Sequence, residues 1–159
     1  MLIKKKGINN LMIECVIFNN QEQIKDIPSE KKFNEWISEI KYENNAKVSL
    51  VIVSRKEMHE YNKKYRNHDN VTDVLSFPVD MIVNGTTILG DVIMCAEEIN
   101  YRADKYRKKI NEIWAHLTIH SILHLLGHTH NDTSSKNNME NKEIELLNNL
   151  GFSNPYDLD

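Results

Sequence analysis

At 159 residues the chain falls in the usual range of one buried core, and residues 1–159 read as a single domain. Hydrophobic residues at 40% and charged residues at 27%, with only five Gly and three Pro, exclude a disordered or linker-rich chain. A net charge of −3 does not mark out a nucleic-acid binder, and two cysteines, Cys15 and Cys95, are too few for a disulfide framework, so a reducing, cytoplasmic setting is expected.

The amino end carries Lys4, Lys5 and Lys6 before Leu11, Met12 and Ile13, superficially like a secretory signal. Glu14 cuts that apolar run short, and no stretch reaches the roughly 18 apolar residues a membrane helix needs, so no membrane partner is expected. Leu11 to Asn19 reads as a first strand ending in the turn-forming pair Asn19 and Asn20. Ser29 is a fair N-cap for a helix with Phe33, Trp36, Ile37 and Ile40 at helical spacing. Val48 to Val53 is an apolar run too short for a helix and typical of a buried strand. Arg55 to Tyr65 is helical by composition, and Asp69 to Thr72 is a polar break. Val74 to Phe77 reads as extended and stopped by Pro78, and Thr86 to Met94 as a strand interrupted by Gly90 and Asp91. Glu97 to Arg107 and Asn111 to Leu126 read as one long helix or two successive ones, with Gly127 as the stop. Asn138 to Leu150 is the final helix, ended by Gly151. The sum is an α+β domain, a small mixed sheet of about four strands covered by helices.

Charge is distributed unevenly along these elements. Arg55 to Arg66 holds five basic and two acidic residues, Tyr101 to Ile110 five and one, and Asn131 to Asp159 two and six. Two basic segments and an acidic tail result, which is what solvated helix faces ordinarily give.

Five of the seven histidines lie between His116 and His130, where uniform scattering would place about 0.7. His120 and His124 are four apart on a strongly apolar helix, so their rings project from one side about a turn apart, a separation at which two imidazoles can share one ion. His116 is eight residues from His124, roughly 12 Å along the axis, and cannot join them at zinc–nitrogen distances of about 2.1 Å. Gly127 can take the positive φ that ends the helix and turns the chain back, which brings His130 beside the pair. Three histidines leave one tetrahedral position open, the mark of a catalytic zinc. One Zn2+ per chain on His120, His124 and His130 is therefore expected. His116, a half-buried or hydrogen-bonding residue, and His128, in the turn, stay outside the ligand set.

The run His120-Ser121-Ile122-Leu123-His124-Leu125-Leu126-Gly127-His128-Thr129-His130 resembles the signature of the YbeY family of bacterial rRNA maturation factors, usually His-Gly-x-Leu-His-Leu-x-Gly-Tyr-Asp-His. Asn62 to Pro78, with Arg66, Asp69, Thr72 and Asp73, is similar to that family's stretch before and along an edge strand, and Leu89-Gly90-Asp91 to its next strand. Ser121, His128 and Thr129 depart from the usual Gly, Tyr and Asp without removing a ligand. The resemblance implies a zincin-like fold and a zinc-dependent, single-strand-specific endoribonuclease. It further implies a role in 16S rRNA 3′-end maturation, rRNA processing and ribosome quality control, with ribosomal RNA, ribosomal particles and processing factors as partners. Arg66, which the resemblance singles out and which ends a basic helix, is the candidate catalytic residue for stabilising charge on phosphoryl oxygens.

Two other readings compete. A metalloprotease shares the four-residue histidine spacing, but its general-base Glu is replaced here by Ser121. A ribosome-assembly factor with a purely structural zinc is the third.

Overall fold

A computed structural model describes residues 13–157 of the chain. Met1 to Met12, including the basic stretch and the first two residues of the expected first strand, lie outside the described residues. Nine elements follow: β1 (Ile13–Asn19), α1 (Glu30–Ile37), β2 (Ala46–Val53), α2 (Arg55–Arg66), β3 (Val74–Val83), β4 (Thr86–Cys95), α3 (Ala96–Tyr106), α4 (Ile110–Leu125) and α5 (Thr133–Asn149). The strands form one mixed sheet in the order β1-β2-β4-β3, with β1, β2 and β4 parallel and β3 antiparallel on the outer edge of β4. This is the expected α+β arrangement.

The local signals act as chemistry predicts. Ser29 caps α1 by accepting from Lys32 N, and Ser54 opens α2 in a reciprocal capping box with Glu57. The apolar stripe Phe33, Trp36 and Ile37 of α1 is buried, with Trp114 of α4 edge-on to Phe33 at 5.7 Å. The helical pattern breaks before Ile40, which is buried just beyond the helix. α3 and α4 are separate helices, because Arg107 turns the chain in the left-handed region at φ 53°.

Three expectations need correction. Pro78 does not stop β3, which runs on to Val83 with a register shift between Pro78 and Met81. A proline is tolerated because an edge strand has a ladder on one side only. Gly90 and Asp91 do not interrupt β4 either, whose pairing with β2 shifts register at Lys47 and Val48 and then continues. α5 begins at Thr133, five residues before the expected Asn138, because the Asp132 carboxylate accepts from Ser135 N and caps the helix there.

Gly90 fixes how closely the edge strand approaches. Its φ is +148°, and a Cβ there would stand 2.2 Å from the Phe77 carbonyl oxygen and 3.0 Å from both Pro78 Cα and Leu125 Cδ2. The missing side chain lets β3 and α4 meet over β4. Around that crossing α4 is apolar on nearly every side, burying Trp114, Ala115, Ile119, Ile122, Leu123 and Leu125. His116, His120 and His124 lie in the stripe left partly open.

Gly90→Ala is predicted to destabilise the protein by about 2–4 kcal/mol, combining overpacking against backbone with a strained φ. Gly85→Ala, at φ +80° with nothing within 4 Å of the added carbon, should cost only about 1 kcal/mol. Urea denaturation of the two variants checks the difference.

Candidate metal centre

The three predicted histidines converge. His120 and His124 follow one another a turn apart on α4, with ring centroids 4.6 Å apart and Nε2 atoms 3.2 Å apart. His130 arrives through a tight helix stop. Gly127 at φ 101° gives its N–H to His124 O, and His128 N–H reaches back to Leu123 O, a Schellman closure. The chain reverses, and the His130 ring lies 4.8 Å from His124 and 6.0 Å from His120, centroid to centroid. One nitrogen from each of the three lies within 4.8 Å of the others.

Each α4 histidine is held by its other nitrogen. His124 Nδ1 donates to the His128 carbonyl at 3.0 Å, so the turn that ends the helix also orients the ring. His120 Nδ1 donates to Glu143 Oε2 of α5 at 2.9 Å. With both protons on Nδ1, both Nε2 atoms present lone pairs to one space, and their 3.2 Å contact is no hydrogen bond. Two zinc–nitrogen bonds of about 2.1 Å at a tetrahedral angle would set such nitrogens roughly 3.4 Å apart. The donor set therefore fits a divalent ion, with imidazole softness suited to zinc. Burial first, then the neighbouring His120 and His130, lowers the His124 pKa and keeps this ring neutral and able to ligate.

Glu143 was legible in the sequence only as an acid within the buried stripe Met139, Leu146 and Leu147. Its side chain is 0% exposed. Besides His120 it binds His116 Nε2 at 2.6 Å, and the Tyr156 hydroxyl donates to the same oxygen. Burial would raise this carboxyl, but the hydrogen bonds from His116, His120 and Tyr156 overcome it and hold it at about 2. His116 thus braces the carboxylate behind His120. His116, His120 and Glu143 also cluster closely enough for a metal, yet their 2.6 and 2.9 Å separations are those of charge-assisted hydrogen bonds.

Arg66 is brought to the same place from the opposite side of the sheet edge. α2 ends there, with Asn67 in the left-handed region at φ 58°. Arg66 Nη2 donates to Ser76 O of β3 at 2.8 Å, and its guanidinium lies 4.8 Å over the Phe77 ring. The loop between α2 and β3 is tied down by His59 to Asp69 at 2.6 Å, Asn62 to Asn70, and Arg102 to Asp73 at 2.7 Å. Arg66 and the edge strand therefore keep a fixed relation. Together Arg66, Val74 to Ser76, Pro78, His120, His124 and Gly127 to His130 line a cleft of about 460 Å³. None of the described residues lining it is acidic. Ser121 is 0% exposed and faces the core rather than this cleft, so it cannot take the place of a peptidase general base.

The model of the family described as Endoribonuclease YbeY matches residues 16–151. The protein named Endoribonuclease YbeY of Buchnera aphidicola subsp. Cinara cedri (strain Cc) is 41% identical over 133 residues, covering 81% of this chain and 85% of that protein. Its namesake in Buchnera aphidicola subsp. Schizaphis graminum (strain Sg) is 36% identical over 157 residues, 97% of each chain. The fold is similar to the solution structure of TM1509 from Thermotoga maritima, with a TM-score of 0.51 at 23% identity, covering 92% of this chain and 100% of that one.

Glu143→Gln should weaken zinc binding about 10- to 100-fold, measured by competition with a chromophoric chelator, because a neutral amide with one accepting oxygen replaces the carboxylate that serves His116, Tyr156 and His120. The same carboxylate predicts an acid limb in metal-free protein. Its pKa is lower folded than unfolded, so its stabilisation is present above about 4.5 and lost as pH falls towards about 2. Urea midpoints across that range should drop more steeply in wild type than in Glu143→Gln.

Proposed function

The chain belongs to the YbeY family of endoribonucleases, and from that premise we propose that it cleaves single-stranded RNA at a zinc ion held by His120, His124 and His130. An endoribonuclease hydrolyses internal phosphodiester bonds, so the chain is a hydrolase with RNA as substrate and a role in rRNA processing. The finer reading is a single domain over residues 1–159, cytoplasmic, acting in 16S rRNA 3′-end maturation and ribosome quality control on ribosomal particles alongside other processing factors. Among the described residues no helix is long and apolar enough to cross a membrane.

The observation that carries this reading is the shared cleft, with three convergent imidazoles, an arginine and, among the described residues that line it, no acid to repel phosphate. When bound, zinc supplies Lewis acidity, polarising a phosphoryl oxygen or acidifying a water at neutral pH. The protein's own residues do the rest. Arg66 has five N–H donors and spends Nη1 and Nη2 contacts on the Tyr65 and Ser76 carbonyls, which hold its plane while leaving N–H groups for a phosphoryl oxygen. Its guanidinium stays charged, so it stabilises the negative charge that grows on those oxygens as the bond breaks. Val74, Leu75, Ser76 and Pro78 supply the wall beside which an RNA strand would lie. Glu143 retains the proton on His120 Nδ1, and the His128 carbonyl retains the one on His124 Nδ1, so neither ring turns its lone pair away from the cleft.

Purified protein with zinc should cut an unstructured RNA oligonucleotide. Arg66→Ala should lower kcat by about 10²- to 10³-fold with zinc content and circular dichroism unchanged. His124→Ala should abolish both cleavage and zinc binding. Cleavage of an unstructured protein with RNA left intact would favour the peptidase, and binding to ribosomal particles with neither polymer cut would favour the assembly factor.

A further inference from the structure

The segment after the last helix reaches the metal centre. α5 ends at Asn149, Gly151 reverses the chain at φ 88°, and Phe152 N–H returns to Leu147 O. Asn154 Oδ1 then accepts from Tyr156 N at 2.8 Å, and Lys108 Nζ donates to Pro155 O at 3.2 Å, fastening the segment across the start of α4. These contacts place the Tyr156 ring edge-on to His116, with centroids 5.3 Å apart, and aim its hydroxyl at Glu143.

The two oxygens of Glu143 have different tasks. Oε1 receives both His116 and Tyr156, while Oε2 receives His120 alone. A carboxylate without solvent contact needs its charge met by donors, and here the plane of the group is set by two donors on one side. With Oε1 pinned, Oε2 has one direction left, towards His120 Nδ1. Tyr156 also lines, with Lys136 and Glu143, a second cavity of about 360 Å³ that shares His120 and His130 with the cleft. Nothing in the reaction requires Tyr156 to touch RNA, and its hydroxyl already has a partner.

We propose that Tyr156 is a positioning residue for the metal centre, acting through Glu143 to fix the His120 tautomer and so raise zinc affinity, which makes the carboxyl-terminal segment Phe152 to Asp157 part of the site. The proposal rests on the assignment of His120 as a ligand, but one readout is independent of metal.

Tyr156→Phe removes the hydroxyl and keeps the ring against His116. In metal-free protein, nitrogen-15 imidazole spectra should show His120 protonated on Nδ1 in wild type and as a mixture of tautomers in the variant. Zinc affinity, read by chelator competition, should fall by about tenfold in Tyr156→Phe. In a Glu143→Gln background the same change should alter affinity less than twofold, since the effect passes through Glu143. Wild-type tautomer and affinity within twofold in Tyr156→Phe overturn the inference, as does an undiminished effect in the Glu143→Gln background. Failure of wild type to bind zinc would defeat the metal reading itself, while the tautomer spectra still decide whether Tyr156 positions His120.

Discussion

Two ring nitrogens, His120 Nε2 and His124 Nε2, face each other across 3.2 Å, each with its proton committed to the far side of the ring. Lone pairs so placed repel unless a cation stands between them, which is why the pair suits a shared divalent ion. Much of the surrounding structure serves to hold them there. α4 is buried on its other faces, which fixes its rotation and leaves the histidine stripe directed outward. Gly127 supplies the turn that gives His124 its acceptor and delivers His130. α5 exists in the right register to place one buried carboxylate behind His120.

The same constraint explains how a chain of net charge −3 can present a site suited to a polyanion. Several of its acids are held in pairs. Asp73 is paired with Arg102, Glu98 with Arg55, Asp69 with His59, and Glu143 with two histidines and a tyrosine behind the metal position. The described residues that line the cleft are Arg66, histidines and uncharged residues such as Val74, Ser76 and Thr129. Substrate attraction is thus set by local composition, and net charge is a poor guide to it.

Residues whose role is written in local spacing were legible in the sequence. The four-residue interval of His120 and His124, the glycine after them and the Ser29 cap each act within a few positions, and the structure keeps all three. Arg66 was legible as a candidate because it ends a basic helix within a recognisable block. Its contact with Ser76, by contrast, depends on where β3 passes. Pro78 misled because its effect depends on the strand being an edge, which is a property of the sheet and not of the local sequence. Glu143 and Tyr156 lay hidden in an acidic tail, 23 and 36 residues past His120, and only tertiary packing makes them neighbours. A carboxylate at a core position of α5 was the one available signal, since such a residue is rarely buried without a partner.

The central claim is that His120, His124 and His130 form one zinc site. Its most direct test is elemental analysis of wild type and His120→Ala, purified alike without chelator and matched for folding by circular dichroism. Wild type should hold one zinc per chain and the variant less than about a tenth of that, since losing one of three protein ligands removes the site. Equal zinc in both proteins, or none in a folded wild type supplied with the metal, would contradict it.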